Sequence, residues 1–152
     1  MDNDDVIDIL NDLVQTSKDG EYGFQSIAEH ASSADLKQFS LRRALECQQG
    51  AQELQTVVRR LGGTPDTSGT ASGAVHRGWV AVRDTLALND DKALLEECER
   101  GEDRAVARYR TALERGLPLE IDEMVRRQLQ GAQRNHDDVK RRRDLAQTDM
   151  AV

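Results

Sequence analysis

The sequence predicts an all-α fold, a bundle of four long helices, and three observations carry that expectation. Apolar side chains recur at helical spacing through four long stretches, only two prolines interrupt the 152 residues, and Gly, Ser and Asn fall where those stretches stop. A sandwich or barrel would need many more turns than two prolines and clustered glycines supply. One domain over residues 1–152 is expected, since 38% hydrophobic residues suffice for one elongated core but not for two.

The first helix is predicted over Asp4–Ala31, with Asp2, Asp4, Asp5 and Asp8 beside the positive end of its dipole. Ser32 and Ser33 break the chain and can cap a second helix, Ala34–Leu61, which Gly62 and Gly63 stop. Thr64–Gly73 (TPDTSGTASG) has the composition of a flexible linker, and Ala74–Leu88, carrying Trp79, reads as a short amphipathic helix. A third helix should start behind Asn89 as its cap and close at Gly116, and a fourth should run from Pro118, at the N1 position, to Ala146. The first and third connections are short and make antiparallel hairpins. The second is long enough to return the chain along a helix of roughly 40 Å, so the second and third helices can run parallel. Four helices with one such crossover, here containing a short helix, is the ferritin-like arrangement.

Each helix carries polar exceptions on its inward stripe. Glu21 lies among Leu10, Val14, Ser17, Phe24 and Ala28, and Glu102 holds the same place among Leu95, Cys98, Val106 and Tyr109. Both follow a glycine (Gly20-Glu21, Gly101-Glu102) deep inside a helix, where glycine is costly, and duplication of one helical hairpin would explain both pairs. The second helix brings Arg43 inward with Glu46 at the edge of its stripe, and the fourth brings Gln128 and His136. A buried carboxylate needs a proton, a counter-charge or a cation. Dinuclear iron or manganese carboxylate bundles place one Glu on each of two helices and Glu-x-x-His on each of the others. Glu21 and Glu102 match the single glutamates, Gln133-Arg-Asn-His136 carries an amide where the motif has its bridging carboxylate, and Glu46-Cys-Gln-Gln49 lacks the histidine. Candidate metal ligands are therefore Glu21, Glu46, Glu102 and His136, with iron or manganese as the ion. The alternative is a metal-free polar layer in which Arg43, Tyr109, Gln128 or His136 satisfies the same carboxylates.

Other signals narrow the function by exclusion. The net charge of −7 disfavours nucleic-acid binding, and the basic run Lys140–Arg143 reads as a solvated helix end. Cys47 and Cys98 have neither zinc nor disulfide spacing and read as reduced core thiols. The acidic N-terminus and the lack of a ~20-residue apolar run point to a cytoplasmic protein without a membrane span. Trp79 reads as a plug at one end of the bundle. Asp66–Gly73 lacks the Gly-Lys-Ser/Thr of a phosphate loop, and no pattern of hydrolase residues stands out.

The segment ECERGEDRAVARYRTAL (Glu97–Leu113), together with LGGTPDTSG, VHRGW and RNHDDVK, closely resembles an uncharacterised bacterial family described as a ferritin-like four-helix-bundle domain of unknown function. The resemblance spans nearly the whole chain. It implies the ferritin-like fold without an established activity, and the wider superfamily's ligands carry over to Glu21, Glu102 and His136 and, more distantly, to Glu46. Gln133 and Gln49 depart from that pattern and weigh against a dinuclear centre. The expectation is a metal-binding or stress-associated protein rather than an enzyme, pairing as a homodimer by analogy with such bundles. A metal-free structural or interaction bundle is the alternative.

Overall fold

The computed structural model describes residues 1–67 and 90–151, with side chains to Ala146. Four helices follow in order: α1 Asn3–His30, α2 Ala34–Arg60, α3 Asp91–Glu114 and α4 Leu119–Ala151, with no strand among the described residues. The expected short helix at Ala74–Leu88 and its Trp79 lie outside those residues.

Local chemistry sets most of the ends. Asp2 caps α1 through the Asp5 amide at 2.9 Å, and Ser33 caps α2 through the Leu36 amide at 3.1 Å. Gly62 and Gly116, at φ +86° and +77°, occupy the left-handed region just past α2 and α3. Two expected starts move. Asp90, where Asn89 was expected, caps α3: its backbone is extended and its carboxylate takes the Lys92 amide. The fourth helix begins at Leu119, one residue after Pro118, whose carbonyl accepts the Asp122 amide at 2.8 Å. It also runs past the expected Ala146 end, to Ala151.

Cross-helix bonds give the directions. Asp91, in the first turn of α3, accepts the Ser32 and Ser33 amides at the start of α2, at 2.7 and 2.8 Å. Arg43 in the first half of α2 reaches Glu102 in the first half of α3, so α2 and α3 point the same way. Arg108–Asp12 and Arg127–Glu53 set α3 against α1 and α4 against α2 in the opposite sense. The chain between Leu61 and Asp90 therefore joins opposite ends of the bundle.

The start of that connection is tied down, unlike the flexible linker expected from its composition. Asn11 bonds the Thr64 carbonyl and the Asp66 amide at 3.1 and 2.9 Å, and Gln15 and Gln55 hold Asp66 at 2.6 and 2.7 Å. Gly63 is required there, since a Cβ would meet Ile7 at 2.8 Å.

The core is split into two apolar clusters. One joins Leu10, Leu13, Val14, Leu54, Val58 and Val125 towards the start of α1, and the other joins Phe24, Ile27, Phe39, Leu94, Cys98 and Val139 towards its end. Phe24 and Phe39 meet edge to face at 6.4 Å and anchor the second cluster. Between the two lies a polar layer.

Candidate metal centre and central cavity

Arg43 and Glu102 form the middle of that layer. Glu102 is 1% exposed, and both its oxygens are engaged: Arg43 Nε donates to Oε1 at 2.5 Å and Nη2 to Oε2 at 3.1 Å. This fork-to-fork geometry is the strongest form of a side-chain ion pair. Burial raises the Glu102 carboxyl above its ordinary range, and Arg43 offsets this only in part. The Arg43 guanidinium also lies over the Phe24 ring, 5.7 Å from its centroid.

The other expected ligands occupy different settings. Glu21 has one oxygen 3.8 Å from Lys18, whereas its Oε2 is buried without a hydrogen-bond partner. Glu46 is half-exposed and paired with Arg42 at 3.9 Å. His136 turns to α3, its Nε2 lying 2.6 Å from Asp103. There it joins Glu99 and Asp103 in a cluster whose three ligand atoms all lie within 4.8 Å of one another. Glu99 and Asp103 were not anticipated from the sequence. The legible signal was their four-residue spacing beside the inward Cys98 and Glu102, which places both on the edge of α3.

Cys47 sits where the layer's charges converge. Burial pushes its thiol up to about 12, Arg43 pulls the other way, and Glu102, Glu46 and Glu21 all add to the rise. Burial likewise lifts the Cys98 thiol, and it lifts Tyr109 to about 12. Tyr109 donates to Gln128 Oε1 at 2.8 Å, and Gln128 in turn donates to Glu53 at 2.9 Å and to the Gly50 carbonyl at 3.3 Å. Glu97 is a buried acid that the inward stripe did not include: it is 3% exposed, Oε1 pairs with Arg100 at 2.7 Å, and Oε2 has no partner. Its carboxyl is raised by burial, with Arg100 acting against the rise.

A cavity of about 180 Å³ opens beside the Arg43–Glu102 pair. Each helix contributes one glycine to its wall: Gly20, Gly50, Gly101 and Gly131. Gly20 and Gly101 are related by the same offset as Gly50 and Gly131, so the hairpin repeat suggested by Gly-Glu extends to both helices of each hairpin. A glycine inside a helix costs up to ~1 kcal/mol relative to alanine. At Gly20 the reason is close packing, since a Cβ would lie 2.9 Å from Cys47 Sγ.

At the basic end of α4, Lys140 and Arg141 are exposed as expected, whereas Arg142 and Arg143 are half-buried. Arg142 pairs with Asp35 and lies over the Phe39 ring at 4.9 Å, Arg143 pairs with Glu99, and Arg141 pairs with Asp138. Among the described residues, no helix is long and apolar enough to cross a membrane.

A search of curated proteins finds no match to the chain. Residues 5–115, which contain nearly all of α1, all of α2 and α3 and the polar layer they share, match the family described as Domain of unknown function (DUF2383). The chain therefore belongs to the DUF2383 family.

Proposed function

We propose that this protein is a ferritin-like four-helix bundle that binds a divalent transition metal through His136, Glu99 and Asp103, with an ion pair rather than a dinuclear centre at its middle. The observation that carries the reading is the convergence of the three ligand atoms within 4.8 Å. One imidazole and two carboxylates suit borderline cations such as iron(II), manganese(II) or zinc(II). Binding displaces the His136–Asp103 bond and the Arg143–Glu99 pair. The parallel course of α2 and α3 and the matched glutamates Glu21 and Glu102 support the ferritin-like assignment. Arg43 saturates Glu102, so of the four residues expected from sequence, His136 is the one kept in this site.

The test is anaerobic iron(II) and manganese(II) titration, read by calorimetry and melting temperature. A metal at about 100 times its Kd should stabilise the fold by about 2.7 kcal/mol. His136→Ala and Asp103→Asn should abolish that gain and Glu102→Gln should leave it. Loss with Glu102→Gln and retention with Asp103→Asn would move the ion to the core set Glu21, Glu46, Glu102 and His136.

A second reading, a metal-free interaction bundle, is favoured by the Arg43–Glu102 pair, because a guanidinium already provides the cation that a core carboxylate requires. No calorimetric response to either metal would select it. Under either reading we propose a homodimer, supported by Leu41 and Leu45, one turn apart on α2 and 58% and 51% exposed.

A further inference from the structure

We propose that the central cavity is a binding site for a small aromatic carboxylate, its ring held beside Phe24 and Ala105 and its carboxylate on Arg104 at the mouth. The inference stands apart from the metal reading and uses none of its ligands.

Size comes first. The cavity of about 180 Å³ is close to the ~150 Å³ that suffices elsewhere for one benzene ring. The groups on its inner wall are largely satisfied by one another: Arg43 with Glu102, and Tyr109 with Gln128. A ring placed there leaves those bonds intact, and it replaces water that finds few open partners.

Charge differs at the mouth, between α1 and α3. Two exposed arginines line it, Arg104 and Arg108. Arg108 is held by Asp12 at 3.0 Å, whereas the charge of Arg104 acts on the Glu97 carboxyl without an ion pair or hydrogen bond to it. Asp19 and Glu46 also reach the lining, Glu46 in its pair with Arg42. Arg104 is thus the cation placed to receive an anionic group, and the fork of a guanidinium fits a carboxylate.

The glycines supply the independent observation. Close packing accounts for Gly20, but a Cβ at Gly50 would lie 3.6 Å from Gln128 and one at Gly131 would lie 3.7 Å from Arg134, both ordinary contacts. Packing alone therefore does not demand glycine at these two positions. Alanine would fit, would favour the helix and would narrow the space.

The experiment titrates the full-length protein, in EDTA so that no metal contributes, with benzoate, benzamide and benzylamine, followed by amide chemical shifts and melting temperature. Benzoate should bind saturably and at least tenfold more tightly than either other probe. Arg104→Gln should bring benzoate to the level of benzamide. The double variant Gly50→Ala/Gly131→Ala should melt higher when free and bind benzoate at least tenfold more weakly. Absence of saturable binding by all three probes, a preference for benzylamine, or unchanged benzoate affinity in the double variant would overturn the proposal.

Discussion

Arg43 and Glu102 illustrate why a buried charge pair is visible mainly when it is broken. Removing one member leaves the other uncompensated in a medium that solvates it poorly, whereas removing both leaves an apolar gap. Arg43→Met should therefore cost about 3–5 kcal/mol in urea denaturation, and adding Glu102→Leu should recover more than half of that loss. Equal losses in the single and double variants would mean that packing, not charge, governs the position. Glu97 gives a pH-dependent case. Its folded carboxyl is raised above the ordinary 4.5, so the folded state keeps a proton that the unfolded chain has released. Its contribution is most favourable in acid and declines as pH rises from the ordinary value through the raised one. Glu97→Gln should accordingly raise the melting temperature at neutral pH, and the advantage should fade as the pH falls below the ordinary 4.5. The cysteines are readable in the same terms. Cys47, at about 12 and buried, holds almost no thiolate at about pH 8, and Cys98 is raised as well. Both should resist iodoacetamide in the native protein and react once urea opens the bundle; prompt labelling of the native state would contradict the burial described.

At the scale of elements, the junction of the two hairpins depends on one side chain. Asp91 receives two amides from the turn between α1 and α2 while it lies in the first turn of α3, so it joins three helices at one end of the bundle. Two charge-assisted bonds at an exposed junction should be worth about 1–2 kcal/mol, and Asp91→Ala should lose that amount. The loss should be local as well as global, so the Ser32 and Ser33 amides should exchange with deuterium much faster in the variant. Unchanged exchange there would show that the turn holds without Asp91. The Thr64–Asp66 segment makes a similar point at the opposite end. A stretch that composition marks as linker is fastened by Asn11, Gln15 and Gln55, residues whose roles only the antiparallel packing of α1 and α2 reveals.

Among the described residues, the molecule is two apolar clusters separated by a layer that costs stability. Glycine in four helices, a cavity and a desolvated ion pair are each unfavourable, and together they interrupt what could have been one continuous core. The ligand proposals fall on this layer and its edge, where the cavity beside Arg43 and Glu102 and the Glu99–Asp103–His136 cluster lie. Assembly belongs to the same scale. If Leu41 and Leu45 meet their counterparts, sedimentation should show a species of twice 17.0 kDa, and Leu41→Lys/Leu45→Lys should return it to the monomer. A 17.0 kDa species at every concentration would remove the dimer.

The four helices, their order and the two hairpins were legible in the sequence, because helical periodicity, caps and stop residues are local properties and act within a few residues of where they are written. The inward stripes were legible for the same reason: Leu10, Phe39, Cys47, Leu54 and Val125 are buried where their spacing put them. Gly20-Glu21 and Gly101-Glu102 even marked the level of the polar layer. What tertiary structure alone decided is which partner each polar residue meets. Glu102 could have faced a metal, a histidine or an arginine, and it is the relative height of α2 and α3 that sets Arg43 against it. His136 turned to the edge of α3, where Glu99 and Asp103 stand, because rotation of α4 about its axis is fixed by packing along its whole length. Partner choice in a bundle depends on the rotation and register of whole helices, and those are sums over many long-range contacts that no short stretch of sequence contains.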